Sequence, residues 1–145
     1  MGLCNKYINK DIFYFIFRVF VGLLFMQHGF QKLFGMLEGP GIQGFAGFLG
    51  SMGFPAPTLF ATIAGSIEFF GGLLIALGLF TRLASSLAAI MILIAYSVAH
   101  GTKGFLPILN GGELAILYFF VFIAITAFGA RKWRLEKLFF KKEVF

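Results

Sequence analysis

Apolar residues fall into four long blocks, at 12–34, 58–80, 83–100 and 112–129, divided by short stretches rich in glycine, proline and charge. A helix needs about 20 residues to cross a hydrocarbon core, and about 17 suffice when it runs straight. Each block is therefore predicted to be a transmembrane helix, and the chain an all-α integral membrane four-helix bundle forming a single domain over 1–145. Only Thr81-Arg82 separates the second block from the third, which predicts a tight antiparallel hairpin. Within the first connection, 36–56, Pro40 suits a helix start, and Ile42, Phe45, Phe48, Leu49 and Met52 recur at helical spacing. A short interfacial helix in that loop follows, ended by Gly53-Phe54-Pro55-Ala56-Pro57. The last stretch, 131–145, sets Trp133, Leu135, Leu138 and Phe139 among basic residues and reads as an amphipathic tail on an anionic lipid surface.

Composition agrees with this pattern. Of 145 residues 59% are hydrophobic and 12% charged, about half the charged share of a soluble domain. The formal charge of +6 does not mark a nucleic-acid surface, because the cations flank the apolar blocks. Nine of them (Lys6, Lys10, Arg82, Arg131, Lys132, Arg134, Lys137, Lys141 and Lys142) fall on one side of a four-span topology. Lys32 and Lys103 fall on the other, and Arg18 lies within the first block. By the positive-inside rule both termini are expected in the cytoplasm, and the protein in the inner membrane with the lipid bilayer as its surroundings. The apolar stretch after Lys6 and Lys10 is too long for a cleaved signal, and Lys6 stands where an N-myristoylation pattern needs Ser or Thr. The lone Cys4 excludes an internal disulfide, a CxxC pair and a cysteine-built metal cluster.

The polar residues inside the apolar blocks carry the chemistry. Phe25–Lys32, FMQHGFQK, puts Gln27, His28 and Gln31 near the far end of the first span. Counting 1.5 Å per residue, His28 lies about 10 Å and Glu68 about 15 Å below the outer surface. His100 closes the third span and Glu113 opens the fourth near that same surface, so two histidines and two carboxylates are expected to gather in the outer half. Glu68 shares its face with Gly65 and Gly72, as a close helix contact requires. Tyr96 stands one turn before His100. Arg18 is an alternative partner for Glu68, His28 could be a satisfied bundle histidine, and Gln27 and Gln31 suit interhelical hydrogen bonds. His and Glu can hydrogen-bond a quinone and exchange its protons. A metal is not expected, because the Glu-x-x-His pairs of buried di-iron bundles are absent.

Several motifs in order carry a family resemblance. They are His28-Gly29-Phe30-Gln31-Lys32-Leu33-Phe34-Gly35, Gly39-Pro40-Gly41, Gly44-Phe45-Ala46-Gly47-Phe48, Glu68-Phe69-Phe70-Gly71-Gly72, Leu77-Gly78-Leu79-Phe80-Thr81-Arg82 and Asn110-Gly111-Gly112-Glu113-Leu114. From Phe13 to Trp133 the chain resembles the DoxX family of small four-span bacterial membrane proteins. That resemblance implies a subunit of a membrane oxidoreductase, linked to thiosulfate:quinone chemistry or to thiol and oxidative-stress balance. The residues it carries over are His28, Gln31, Lys32, Glu68, Arg82, Asn110 and Glu113.

The expectation is a quinone-interacting oxidoreductase subunit. His28, Glu68 and Glu113 are its candidate catalytic groups, and Gln31, Lys32, His100 and Asn110 its candidate ligand-binding groups. Lys32 would draw an anionic donor, and electrons would come from that donor or a partner protein; the expected partner is a redox protein or further copies of the chain in a homo-oligomer. The alternative is a non-enzymatic scaffold or assembly factor whose buried polar residues lock the helices together.

Overall fold

The computed structural model describes residues 9–140, so Cys4, Lys6, Lys141 and Lys142 lie outside the described residues. Every regular element within that range is helical. The first helix, α1 (Lys10–Phe34), starts two residues before the predicted block because the Asn9 side chain accepts the backbone N–H groups of Asp11 and Ile12. It stops where Gly35 turns left-handed at φ 66°.

The interfacial helix α2 (Gly41–Ser51) follows, covering the end of α3 (Pro57–Ser66). Leu49 and Ala46 are its buried residues, whereas Phe48 of the predicted apolar stripe faces outward. The second span continues from α3 through a π-helical turn, Ile67–Gly71, into α4 (Gly72–Leu77). It ends three residues before the predicted block, and Thr81 and Arg82 belong to α5 (Thr81–Ala99) rather than to the connection. Gly78 at φ 70° and Phe80 at φ 45° make the turn instead. After a 3₁₀ turn at Gly101–Lys103 and the single turn α6 (Pro107–Asn110), α7 (Glu113–Phe128) runs back along α5. The last element is α8 (Glu136–Phe140).

Lys10–Phe34, Pro57–Leu77 and Thr81–Lys103 are long and apolar enough to cross a membrane, and α7 is a shorter apolar helix of 16 residues. At about 1.5 Å per residue α7 covers about 24 Å. The bundle shows the inverse of a soluble core, with large side chains such as Phe13, Phe20 and Leu117 turned outward as lipid-facing surface. Small residues turn inward. Ala84, Ala88 and Ala89 give α5 a flat face on which Phe25, Phe122 and Ile125 pack, and the Phe25 and Phe122 rings meet edge to face at 4.6 Å. Ser85 and Thr126 join α5 to α7 through their hydroxyls at 2.8 Å.

Helix α1 meets the second span backbone to backbone. A Cβ placed on Gly72 would come within 2.5 Å of the Gly22 carbonyl oxygen, and one on Gly22 within 2.6 Å of that of Gly72. One turn-pair further along, Gly29 rests on the backbone of Phe69. The two ends of the bundle differ. At one, the start of α1 meets the end of α7, with the Tyr14 hydroxyl donating to the Gly129 carbonyl at 2.6 Å. The α2 loop and the 100–112 connection occupy the other.

Gly72→Ala should therefore cost about 1–3 kcal/mol by overpacking, read as a lower thermal midpoint in detergent. Gly47→Ala on α2, where an added methyl meets nothing within 4 Å, should leave the midpoint unchanged or raise it.

Candidate functional site

Close approach of α1 to the second span lets a lysine on one meet a carboxylate on the other. Lys32, in the last turn of α1, holds its Nζ 2.5 Å from Glu68 Oε1. The two are unequally exposed, at 25% for the Lys32 side chain and 3% for Glu68. Glu68 sits in the π-helical turn, a rare geometry that recurs at functional positions. Its second oxygen, Oε2, is buried with no hydrogen-bond partner. Above the pair, the Lys32 ammonium lies 4.6 Å from the centre of the Phe45 ring of α2, a cation–π distance. On the other side Tyr118 of α7 stands edge-on to His28 at 5.8 Å, within electrostatic range of Glu68.

Lys32 also lines a groove under α2. One lobe, of about 250 Å³, runs between α3 and α5 past Phe54, Ile63, Ile67, Met91 and Ala95, and Lys32 is its only polar lining residue. An adjoining lobe of about 350 Å³ shares Lys32, Phe45, Leu49, Phe54 and Ala95 and adds His100 and Lys103 at its outer end. Ile63, Leu87, Ile90 and Ile94 border the groove and are themselves exposed on the lipid-facing surface. The groove therefore opens sideways, toward the bilayer.

The predicted residues divide into separate groups rather than one outer-half cluster. Lys32 and Glu68 meet directly, and His28 is their half-buried neighbour against Tyr118. Gln31 donates to the Leu37 carbonyl at 3.1 Å, holding the turn after α1. Gln27 is exposed on the outer face of α1, not turned toward another helix. His100 and Asn110 form a second group. The His100 Nδ1–H points to the Asn110 carbonyl at 2.9 Å. The buried Asn110 side chain donates to the Tyr96 hydroxyl at 3.1 Å and the Gly104 carbonyl at 2.8 Å, and accepts the Gly112 N–H at 2.8 Å. Every polar position of that amide is used, so it fastens the 100–112 connection. Glu113 is exposed in the first turn of α7, where helix N–H groups and water stabilise a carboxylate. No hydrogen bond or ion pair among the described residues includes it.

Arg18 is not the partner of Glu68. The guanidinium is fully buried and donates to the carbonyls of Ile75 and Ala76, at the end of α4, and to that of Trp133 at 3.0 Å. These carbonyls lie at the end of α4, where the Gly78 N–H also donates to that of Ile75 at 3.2 Å, and the arginine supplies further donors there. Arg82 does the same for α7, donating to Thr126 at 2.8 Å and Ala127 at 3.1 Å. Phe45 and Tyr118 are the site residues that the reading of polar positions missed. Phe45 was legible only as part of an apolar stripe, and Tyr118 as a phenol within an otherwise apolar helix.

Residues 13–101 match the DoxX family, a stretch that includes His28, Lys32, Glu68 and His100. The chain belongs to the DoxX family. Among curated relatives, this DoxX chain is 38% identical over 145 residues to an uncharacterized protein of Haemophilus influenzae, covering 98% of this chain and 100% of the relative. It is 31% identical over 126 residues to the putative oxidoreductase CatD of Bacillus subtilis, covering 87% of this chain and 86% of that protein. No solved structure matches it. Asn110, Glu113 and Tyr118 fall beyond the matched stretch, whereas both members of the Lys32–Glu68 pair lie within it.

Removing one partner of a buried ion pair strands the other charge and typically costs about 3–5 kcal/mol. Lys32→Met is expected to lower the thermal midpoint in detergent strongly, and Lys32→Met/Glu68→Leu to recover most of the loss. A double-mutant cycle of thermal melts measures the coupling directly.

Proposed function

We propose that this DoxX chain is a quinone-binding subunit of a membrane redox assembly. A single observation carries the reading: one ammonium, backed by a buried carboxylate, is the polar point among the described residues lining the inner, apolar lobe of a groove open to lipid. The residues fit such a ligand. Lys32 Nζ has donors beyond the one it gives Glu68, and would hold a quinone oxygen. Phe45 offers a ring beside the same nitrogen, and the aliphatic lobe suits an isoprenoid tail. A bound quinone supplies a two-electron, two-proton acceptor. Glu68 fixes the Lys32 ammonium at the groove wall, and its free Oε2 is a place where a proton can be kept out of water. His28 and Tyr118, next to the pair, are the neighbouring groups through which a proton can move toward Glu68.

Electrons come from outside the chain, from a donor or a redox partner protein, and the printed name of the Bacillus subtilis relative, a putative oxidoreductase, supports a redox setting. The excess of cations at the end holding the start of α1 and the tail supports an orientation with that end in the cytoplasm, in the inner membrane. Lys32 then lies toward the outer leaflet. The rival reading is a scaffold or assembly factor. Asn110, Arg18 and Arg82 favour it, because each spends its hydrogen bonds on helix ends and loops.

Titration of the purified protein with a short-chain quinone, followed by quenching of added fluorescence or by native mass spectrometry, separates the two. Saturable one-to-one binding is expected for the wild type, weakened at least about tenfold in Lys32→Met/Glu68→Leu, since a charge-assisted hydrogen bond is worth about 1.5–3 kcal/mol. Equal binding by the wild type and a folded double variant would refute the quinone site. Absence of binding to either would leave the scaffold reading.

A further inference from the structure

A further cleft lies at the opposite end from Lys32. It encloses about 910 Å³ between the start of α1, the end of α7 and the tail, and is lined by Arg131, Lys132, Arg134 and Lys137 together with Asp11 and Trp133. Three of these cations, Arg131, Lys132 and Lys137, share one lining carboxylate. Asp11 engages Lys132 at 2.7 Å and Arg131 at 3.3 Å, yet those side chains remain 69% and 44% exposed. One negative charge cannot neutralise the set.

We propose that this cleft is a binding site for the phosphodiester headgroup of an anionic phospholipid. Charge is the first argument, and depth is the second. The cleft sits where α1 and α7 leave the apolar layer, beside Tyr14, whose ring lies 5.8 Å from the Arg131 guanidinium carbon and 5.8 Å from the Phe128 ring. Trp133 is half exposed at the same level, and aromatic residues of this kind mark the headgroup region. Around Tyr14, the rings of Phe17 and Phe128 are exposed and offer apolar surface for acyl chains. Leu138 and Phe139 are exposed on the tail itself, at 76% and 70%. A soluble anion would use the cations and leave these apolar surfaces idle, whereas a phospholipid uses both.

The cleft is also pre-built. Arg131 and Trp133 hold left-handed backbone at φ 53° and 52°, uncommon for residues other than glycine. Arg18 grips the Trp133 carbonyl, the Leu135 N–H donates to the Leu77 carbonyl at 3.1 Å, and Arg134 donates to the Arg131 carbonyl at 3.2 Å. The tail is thus tied to the second span and presents its basic residues in fixed positions rather than as a loose polybasic strand.

Native mass spectrometry of the full chain in mild detergent tests the proposal, with phosphatidylglycerol and phosphatidylcholine supplied in equal amounts. The wild type should retain phosphatidylglycerol in clear preference. Lys132→Gln/Lys137→Gln should reduce that preference at least about tenfold, since each cation near an anionic lipid surface contributes about fivefold. Asp11→Asn keeps all four cations, removes the competing carboxylate, and should increase it. Thermal melts confirm that each variant is folded. Equal retention of the two lipids by the wild type, or a preference unchanged in both folded variants, would overturn the proposal. Displacement of the lipid by millimolar inorganic phosphate would also overturn it, by showing a site for small anions instead.

Discussion

The structure depends on one contact, the backbone-to-backbone packing of α1 on the second span. In hydrocarbon no water drives helices together, so close fit and satisfied polar groups must do it. Gly22 and Gly72 allow the two backbones to touch, and Gly29 on Phe69 continues the seam. Only at that spacing can Lys32 reach Glu68 at 2.5 Å near one end and Arg18 reach the carbonyls of Ile75 and Ala76 near the other. A side chain at either glycine would push both polar contacts apart together. The glycine seam is therefore the precondition of the ion pair, and the ion pair in turn penalises any slip of the seam.

Buried cations in this bundle find two kinds of partner, and the difference separates architecture from site. Arg18 and Arg82 both donate to carbonyls left over where a helix stops. A guanidinium suits this task, since its several N–H donors can serve neighbouring carbonyls at once. Lys32 and Glu68 face each other as opposite charges. An ion pair in a low-dielectric interior contributes little net stability once desolvation is counted, and a well-packed apolar pair often replaces it without loss. The helix-end arginines have an evident structural task; the Lys32–Glu68 pair has a costly one.

Hydrophobic blocks about twenty residues long identify spanning helices because lipid leaves the backbone no other way to satisfy its hydrogen bonds. That is why an all-α membrane bundle, and the short helix after Pro40, could be read before the structure. Boundaries depended on single residues with local chemistry, such as Asn9 capping α1 and Gly78 turning the chain after α4. The depth count set His28 within about a turn of Glu68, whereas Lys32, one turn beyond His28, is the residue that meets it. It could not distinguish a carboxylate facing inward from one at a helix start, so Glu113 was placed with the others although it is exposed. Nor could it assign Arg18, because the helix-end carbonyls that bind it are set by where α4 ends, at Leu77. Phe45 reaches Lys32 across an intervening loop, a contact that periodicity within one helix does not encode.

The unequal burial of the pair bears most on what the site is for. A lock between helices gains by enclosing both partners, as Asn110 is enclosed with every polar position of its amide engaged. Glu68 is enclosed, but one of its oxygens goes without a partner, and Lys32 keeps a quarter of its side chain open to the groove. Both departures cost free energy in an apolar surrounding. They fall at the same place, on a π-helical turn that itself interrupts a regular helix. The unpartnered oxygen of Glu68 and the spare donors of Lys32 lie together beside a groove that opens to lipid. That arrangement suits a membrane-dissolved ligand with a polar head better than it suits a fastening.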